Sequence, residues 1–180
     1  LFGKKLNYAV GLFNGVTDGG DATTAQDLNS QKEVTGRLFA TPFVGTDSLL
    51  QGLGFGIAVT SGDSNLNSPA SGSAIGVPVY KTPGQSNNFF TYASRVASNG
   101  KRERWSPQAY FYRGPFGLIA EYAQVSQDLI NSASTRTTAK NTAWQLAASW
   151  LLTGEDASFR GVKPYSPFRQ GADEIGRAHV

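Results

Sequence analysis

The sequence predicts an all-β fold, a fragment of a transmembrane antiparallel β-barrel, and three observations carry that expectation. Apolar and polar residues alternate with period two in bursts of about ten residues, the length a tilted membrane-crossing strand requires. Only 16% of the 180 residues are charged, against roughly 25% in a typical soluble domain, while aromatics reach 12% and glycines number 21. The connections between bursts alternate long and short, as the extracellular loops and periplasmic turns of an outer-membrane barrel do. This composition suits the outer membrane of a Gram-negative bacterium. The length fits one domain or part of one, and 39% hydrophobic residues exclude a disordered chain.

The elements follow in order. Leu6, Tyr8, Val10 and Leu12 share one face of a first strand, with Asn7, Ala9 and Gly11 opposite. Gly15 to Gln31 is a polar loop. Val34, Gly36, Leu38 and Ala40 resume the alternation against Glu33, Thr35 and Arg37, and Gly45 to Ser48 makes a short turn. Leu53, Phe55, Ile57 and Val59 then face away from Gly52, Gly54, Gly56 and Ala58. A long excursion runs from Ser61 to Gly100, with a local strand over Phe89 to Ser94 left open. Trp105, Ala109 and Phe111 sit on one parity; Arg102, Arg104, Ser106, Gln108, Tyr110 and Tyr112 sit on the other. A Gly114-Pro115 turn leads to Leu118, Ala120 and Tyr122, opposite Glu121 and Ala123. Ser126 to Lys140 reads as a polar loop, and Trp144, Leu146, Ala148, Trp150 and Leu152 form the last alternation. Tyr8, Trp105, Tyr122 and Trp144 fall near strand ends, as an interfacial aromatic girdle would.

Several function classes drop out. With no cysteine there is no disulfide scaffold, zinc ribbon or thiol nucleophile. No apolar run approaches the roughly 18 residues of a transmembrane helix. The sole histidine, His179, lies in a C-terminal stretch, Ile175 to Val180, that reads as the in-frame translation of a sequencing adapter. The native part is then expected to be residues 1–174, without histidine, and removing Arg177 leaves 15 cations against 13 anions. The start at Leu1 is expected to follow a missing N-terminal part. Gly52-x-Gly54-x-Gly56 alternates with apolar residues, which suits small side chains on a strand and not a phosphate loop. Glu155 and Asp156 are adjacent and point to opposite faces when extended. No catalytic residue, metal site or cofactor is expected, and basic-aromatic interleaving around Arg102 to Tyr112 does not outweigh the strand pattern as a sign of nucleic-acid binding.

Two runs carry a family resemblance. Gly100-Lys101-Arg102-Glu103-Arg104-Trp105-Ser106-Pro107-Gln108-Ala109-Tyr110-Phe111-Tyr112-Arg113-Gly114-Pro115 continues to Tyr122. Ala143-Trp144-Gln145-Leu146-Ala147-Ala148-Ser149-Trp150-Leu151-Leu152-Thr153-Gly154-Glu155 precedes Gly161-Val162-Lys163-Pro164. Together with Gly36 to Phe43 they resemble the phosphate-selective porin O and P family, over nearly everything up to about Gly171. The resemblance implies a sixteen-stranded homotrimeric barrel with loops folded into the lumen, of which this chain is an internal section continuing beyond its C-terminus. It also implies a passive diffusion path lined by arginines and lysines that binds phosphate or polyphosphate. The expected partners are inorganic anions, outer-membrane lipid and lipopolysaccharide.

Guanidinium groups along such a path attract an anion by charge-assisted hydrogen bonds and release it to the next. Arg37, Arg102, Arg104, Arg160 and Lys163 are the candidate anion contacts, with Arg169 beside the last two. Residues 81–169 hold 11 basic and 5 acidic residues, whereas residues 1–80 hold 4 and 6, so the positive excess is local. Each candidate has a plainer reading. Lys101 to Arg104 at a strand start suits the membrane surface, Arg37 suits a structural partner of Glu33, and Arg160, Lys163 and Arg169 suit a solvated turn. Glu121 suits a lumenal salt bridge; Arg136 and Lys140 suit contacts to lipopolysaccharide or plain solvation. Two other functions stay open: a general or sugar-type porin using Phe39, Tyr110 and Tyr112 as an aromatic slide, and a soluble β-sandwich binding module.

Overall fold

The computed structural model describes residues 5–14, 31–67, 71–82, 84 and 88–166. These form eight strands and no helix: β1 (Leu6–Asn14), β2 (Lys32–Ala40), β3 (Leu53–Asn65), β4 (Tyr80–Lys81), β5 (Asn88–Phe90), β6 (Val96–Arg113), β7 (Phe116–Asn131) and β8 (Arg136–Trp150). Six of them make one antiparallel sheet in the order β1-β2-β3-β6-β7-β8, and β4 and β5 pair separately. The six-stranded sheet is open at β1 and β8 and is not a closed barrel. Most of the Gly15 to Gln31 loop, Arg169 and the stretch 175–180 lie outside the described residues.

Three sequence expectations are corrected. Ser126 to Lys140 is ladder, not loop: β7 and β8 stay paired up to Ile130↔Arg136, and Asn131 accepts from Ser134 across the turn. Polar residues fall on both parities and its two large apolar residues, Leu129 and Ile130, are adjacent, so the apolar contrast that marks a strand is missing there. The Ser61 to Gly100 excursion shrinks to 66–95, because β3 runs to Asn65 and β6 begins at Val96. Lys101 to Arg104 therefore lie within β6, not at its start. The short strand Asn88–Phe90 pairs with Tyr80–Lys81 and leaves the main sheet uninterrupted.

Directly opposed residues share a face, so the register sorts every side chain. Leu12↔Val34, Leu38↔Ile57, Val59↔Trp105, Phe111↔Leu118 and Leu118↔Ala148 all fall on one side. The apolar parities of all six strands line up into a continuous band. Among the described residues nothing covers it: Val10 is 77% exposed, Trp144 78% and Leu146 63%. Trp105 packs on Tyr122 at 5.2 Å between ring centres toward one end of the band, and Phe116 stacks on Trp150 at 5.9 Å toward the other. Along β7 those two aromatic rows are six residues apart, about 20 Å.

The opposite face is polar and partly covered. Asn141 donates to the hydroxyls of Tyr80 (3.1 Å) and Tyr92 (2.8 Å), and Gln127 donates to the Gly76 carbonyl at 3.0 Å, so the 71–95 excursion leans on this side. Buried polar side chains (Glu33, Ser64, Ser98, Arg102, Gln127 and Glu155) outnumber the buried apolar ones (Phe39, Leu66, Ala97 and Leu129) among the described residues. That inverts the usual partition of a water-soluble domain.

Two irregularities shape β6. Gly100 adopts φ 125° at a bulge between Ser98 and Arg102. The next amide, Lys101 N, then donates to Asp128 Oδ2 at 3.1 Å. Pro107 sits inside a central strand, paired to Ile57 of β3. Lacking an N–H, it coincides with a gap in the β6–β7 ladder between Trp105↔Gln124 and Gln108↔Glu121.

Candidate functional site

The polar face is organised by what β3 lacks. On this side β3 presents Gly54, Gly56, Ala58, Thr60 and Gly62, so its surface is a trough between β2 and β6. Side chains from those two strands, about 9.6 Å apart through β3, meet above it.

At one end Gly62 lies between Glu33 of β2 and Arg102 of β6 in a single row. A Cβ on Gly62 would sit 3.1 Å from Glu33. Across that gap Arg102 Nη2 meets Glu33 Oε2 at 3.0 Å, and Arg104 Nη1 meets Glu33 Oε1. Glu33 is 5% exposed and Arg102 7%. Two guanidinium groups thus share one carboxylate.

The next station is Arg37, which donates to Gln108 Oε1 at 3.1 Å and stands 4.9 Å over the Phe39 ring. Arg37 is on the expected parity, yet it pairs with a neutral amide and an aromatic face; Glu33 is taken by Arg102 and Arg104. Glu121 also faces this side, held by Ser106 (2.7 Å) and Gln145 (2.8 Å) rather than by a cation.

Further along, Phe39 stacks on Tyr110 at 5.5 Å, and Tyr110 stacks on Phe159 at 5.4 Å. Phe159 arrives from the connection after β8, tied down by Ala157 N donating to the Gly114 carbonyl at 2.7 Å. In the same connection buried Glu155 accepts from Thr153 and from Tyr165 N (3.4 Å). Arg160 and Lys163 belong to this segment and are exposed. Tyr110 is eight residues from Arg102 along β6, about 26 Å, so Arg160 and Lys163 are not gathered with the Glu33 trio.

Of the candidate residues, Arg37, Arg102 and Arg104 therefore share one face and one trough, and Arg160 and Lys163 stand at its far end. Glu33, Gln108 and Phe159 were not singled out as site residues, although the small side chains on one parity of β3 were the visible sign that something must bridge over them. The arrangement sets cationic and aromatic side chains on one face of the sheet.

Comparison with protein-family models, with curated proteins and with solved structures found no match.

Proposed function

We propose that this chain is part of an outer-membrane porin through which anions, phosphate or polyphosphate among them, diffuse passively along the polar face. The observation that carries the reading is the inverted sheet: an uncovered apolar band across all six strands, with buried ions on the other side. In lipid such a band is the favourable surface and a closed circuit of strands the way to satisfy the two open edges. A soluble β-sandwich would bury this band under a second sheet. The described β4–β5 excursion instead leans on the polar side. The guanidinium groups of Arg37, Arg102 and Arg104 on one face favour anions over cations.

The general or sugar-type porin is the second reading, favoured by the Phe39–Tyr110–Phe159 stack on the same face. One experiment separates them. The complete gene product in a planar bilayer, under a salt gradient, should give a zero-current potential favouring anions, with chloride conductance falling as phosphate is added. A cation-favouring or unselective channel blocked by oligosaccharides would replace the first reading with the second. Failure to enter detergent or bilayer would remove both.

A further inference from the structure

The connection after β8 contains a tight turn with an unusual pair at its corner. Gly161 N donates to the Ser158 carbonyl at 3.1 Å, which makes Phe159 and Arg160 the two central residues of a β-turn. The Ser158 hydroxyl oxygen accepts from the Arg160 amide at 3.1 Å and fixes the same corner a second time. The turn is tied to the sheet by Ala157 N on the Gly114 carbonyl at 2.7 Å, and the Tyr165 hydroxyl closes the segment on the Gly154 carbonyl at 3.0 Å.

One face of the Phe159 ring lies against Tyr110 with only 14° between the planes, and behind Tyr110 come Phe39 and then the Arg37 guanidinium. Four side chains form one column, and its outer end is open: Phe159 stays 66% exposed although one of its faces is covered. The column and the turn hold that ring in place, so a solute landing on it orders little else. Arg160, ~3.8 Å away between Cα atoms, is exposed and makes no ion pair among the described residues. The buried carboxylate of this connection, Glu155, is engaged instead by Thr153 and by Tyr165 N.

We propose that Phe159 and Arg160 form a landing site for small aromatic acids, a planar ring bearing a carboxylate, at the far end of the polar face. This names a solute class for the channel proposed above, and it rests on that reading for passage but not for binding. The solute ring stacks offset on the open face of Phe159 and continues the column. Its carboxylate takes charge-assisted hydrogen bonds from Arg160. A neutral sugar brings no charge for Arg160, and inorganic phosphate brings no surface for Phe159, so the pair together selects what neither selects alone.

The test titrates the complete protein in detergent with benzoate, cyclohexanecarboxylate and benzyl alcohol, and reads binding by saturation-transfer NMR, which needs no conducting channel. Block of conductance by the same solutes is read in a planar bilayer. The parent should prefer benzoate to either analogue by about fivefold. Phe159→Leu should erase the preference over cyclohexanecarboxylate, Phe159→Tyr should keep it, and Arg160→Gln should erase the preference over benzyl alcohol. Equal affinity of the parent for benzoate and cyclohexanecarboxylate, or a preference that survives Phe159→Leu, overturns the site. Displacement of benzoate by inorganic phosphate at comparable concentration reduces it to an anion contact and overturns it too. Selective benzoate binding without any conductance removes the porin reading and keeps the site; phosphate-blocked conductance without benzoate preference does the reverse.

Discussion

Glu33 and Arg102, 69 residues apart in sequence, meet at 3.0 Å with a whole strand between them, and they meet because Gly62 leaves the space open. The contact makes β2 and β6 neighbours in function although they are not neighbours in the sheet. Arg102 and Arg104 have the phase of an anion ladder, but their charge is shared with a carboxylate.

Replacing Glu33 with Gln should therefore raise anion over cation permeability, because two guanidinium groups keep their place and the one negative charge is gone. Breaking a buried ion pair from one side also costs about 3 kcal/mol. Zero-current potential and thermal unfolding in detergent read the two effects. Selectivity unchanged from the parent would mean that permeant ions do not sense the trio.

Gly62→Leu tests the gap itself without altering any charge. Overpacking costs about 1–3 kcal/mol, and Glu33 must move away from Arg102. Gly62→Ala, whose Cβ is at 3.1 Å from Glu33, should lower the unfolding temperature by much less. Equal melting for both variants would show that β3 has slack the close approach denies.

Arg37 interacts with Gln108 and the Phe39 ring and, among the described residues, with no carboxylate. Arg37→Gln should reduce anion preference and cost only about 1 kcal/mol of stability. Anion preference that survives this change would place the selective charge elsewhere on the face.

The two faces of β8 should answer differently to the same charge. Leu146→Lys, in the apolar band, should cost about 2–4 kcal/mol of insertion stability at mid-depth, and Ala147→Lys, one residue on and on the polar face, close to nothing. Refolding yield into vesicles and heat-resistant gel mobility give the comparison. A Leu146→Lys protein that inserts normally would remove lipid from that face.

Tyr110→Leu opens the ring stack between Phe39 and Phe159. If oligosaccharide block of conductance weakens while phosphate block persists, the rings serve neutral solutes. If neither changes, the stack is structural, worth about 1 kcal/mol per ring pair.

The two faces were legible in the sequence wherever apolar residues alternated with small or polar ones, most clearly at Leu53 to Val59. The register then put every such parity on one side. What the sequence hid has physical causes. Ser126 to Lys140 carries polar residues on both parities, so a paired hairpin looks like a loop. The pairing of Glu33 depends on the relative slide of three strands, which no local pattern encodes; the glycine parity of β3 implied a gap but not its occupant. The polar parity of Arg37 is legible locally, but its alternative pairing with Glu33 is not settled locally, because Gln108 comes from another strand.

β6, β7 and β8 are joined by two very short turns, whereas β3 reaches β6 only after the 66–95 excursion has closed. Loop-closure entropy makes that junction the slower one to form. The ion trio spans this junction, so it comes into being late, as the latch of assembly. A chain stalled one step earlier has not yet brought Glu33 of β2 to Arg102 and Arg104 of β6.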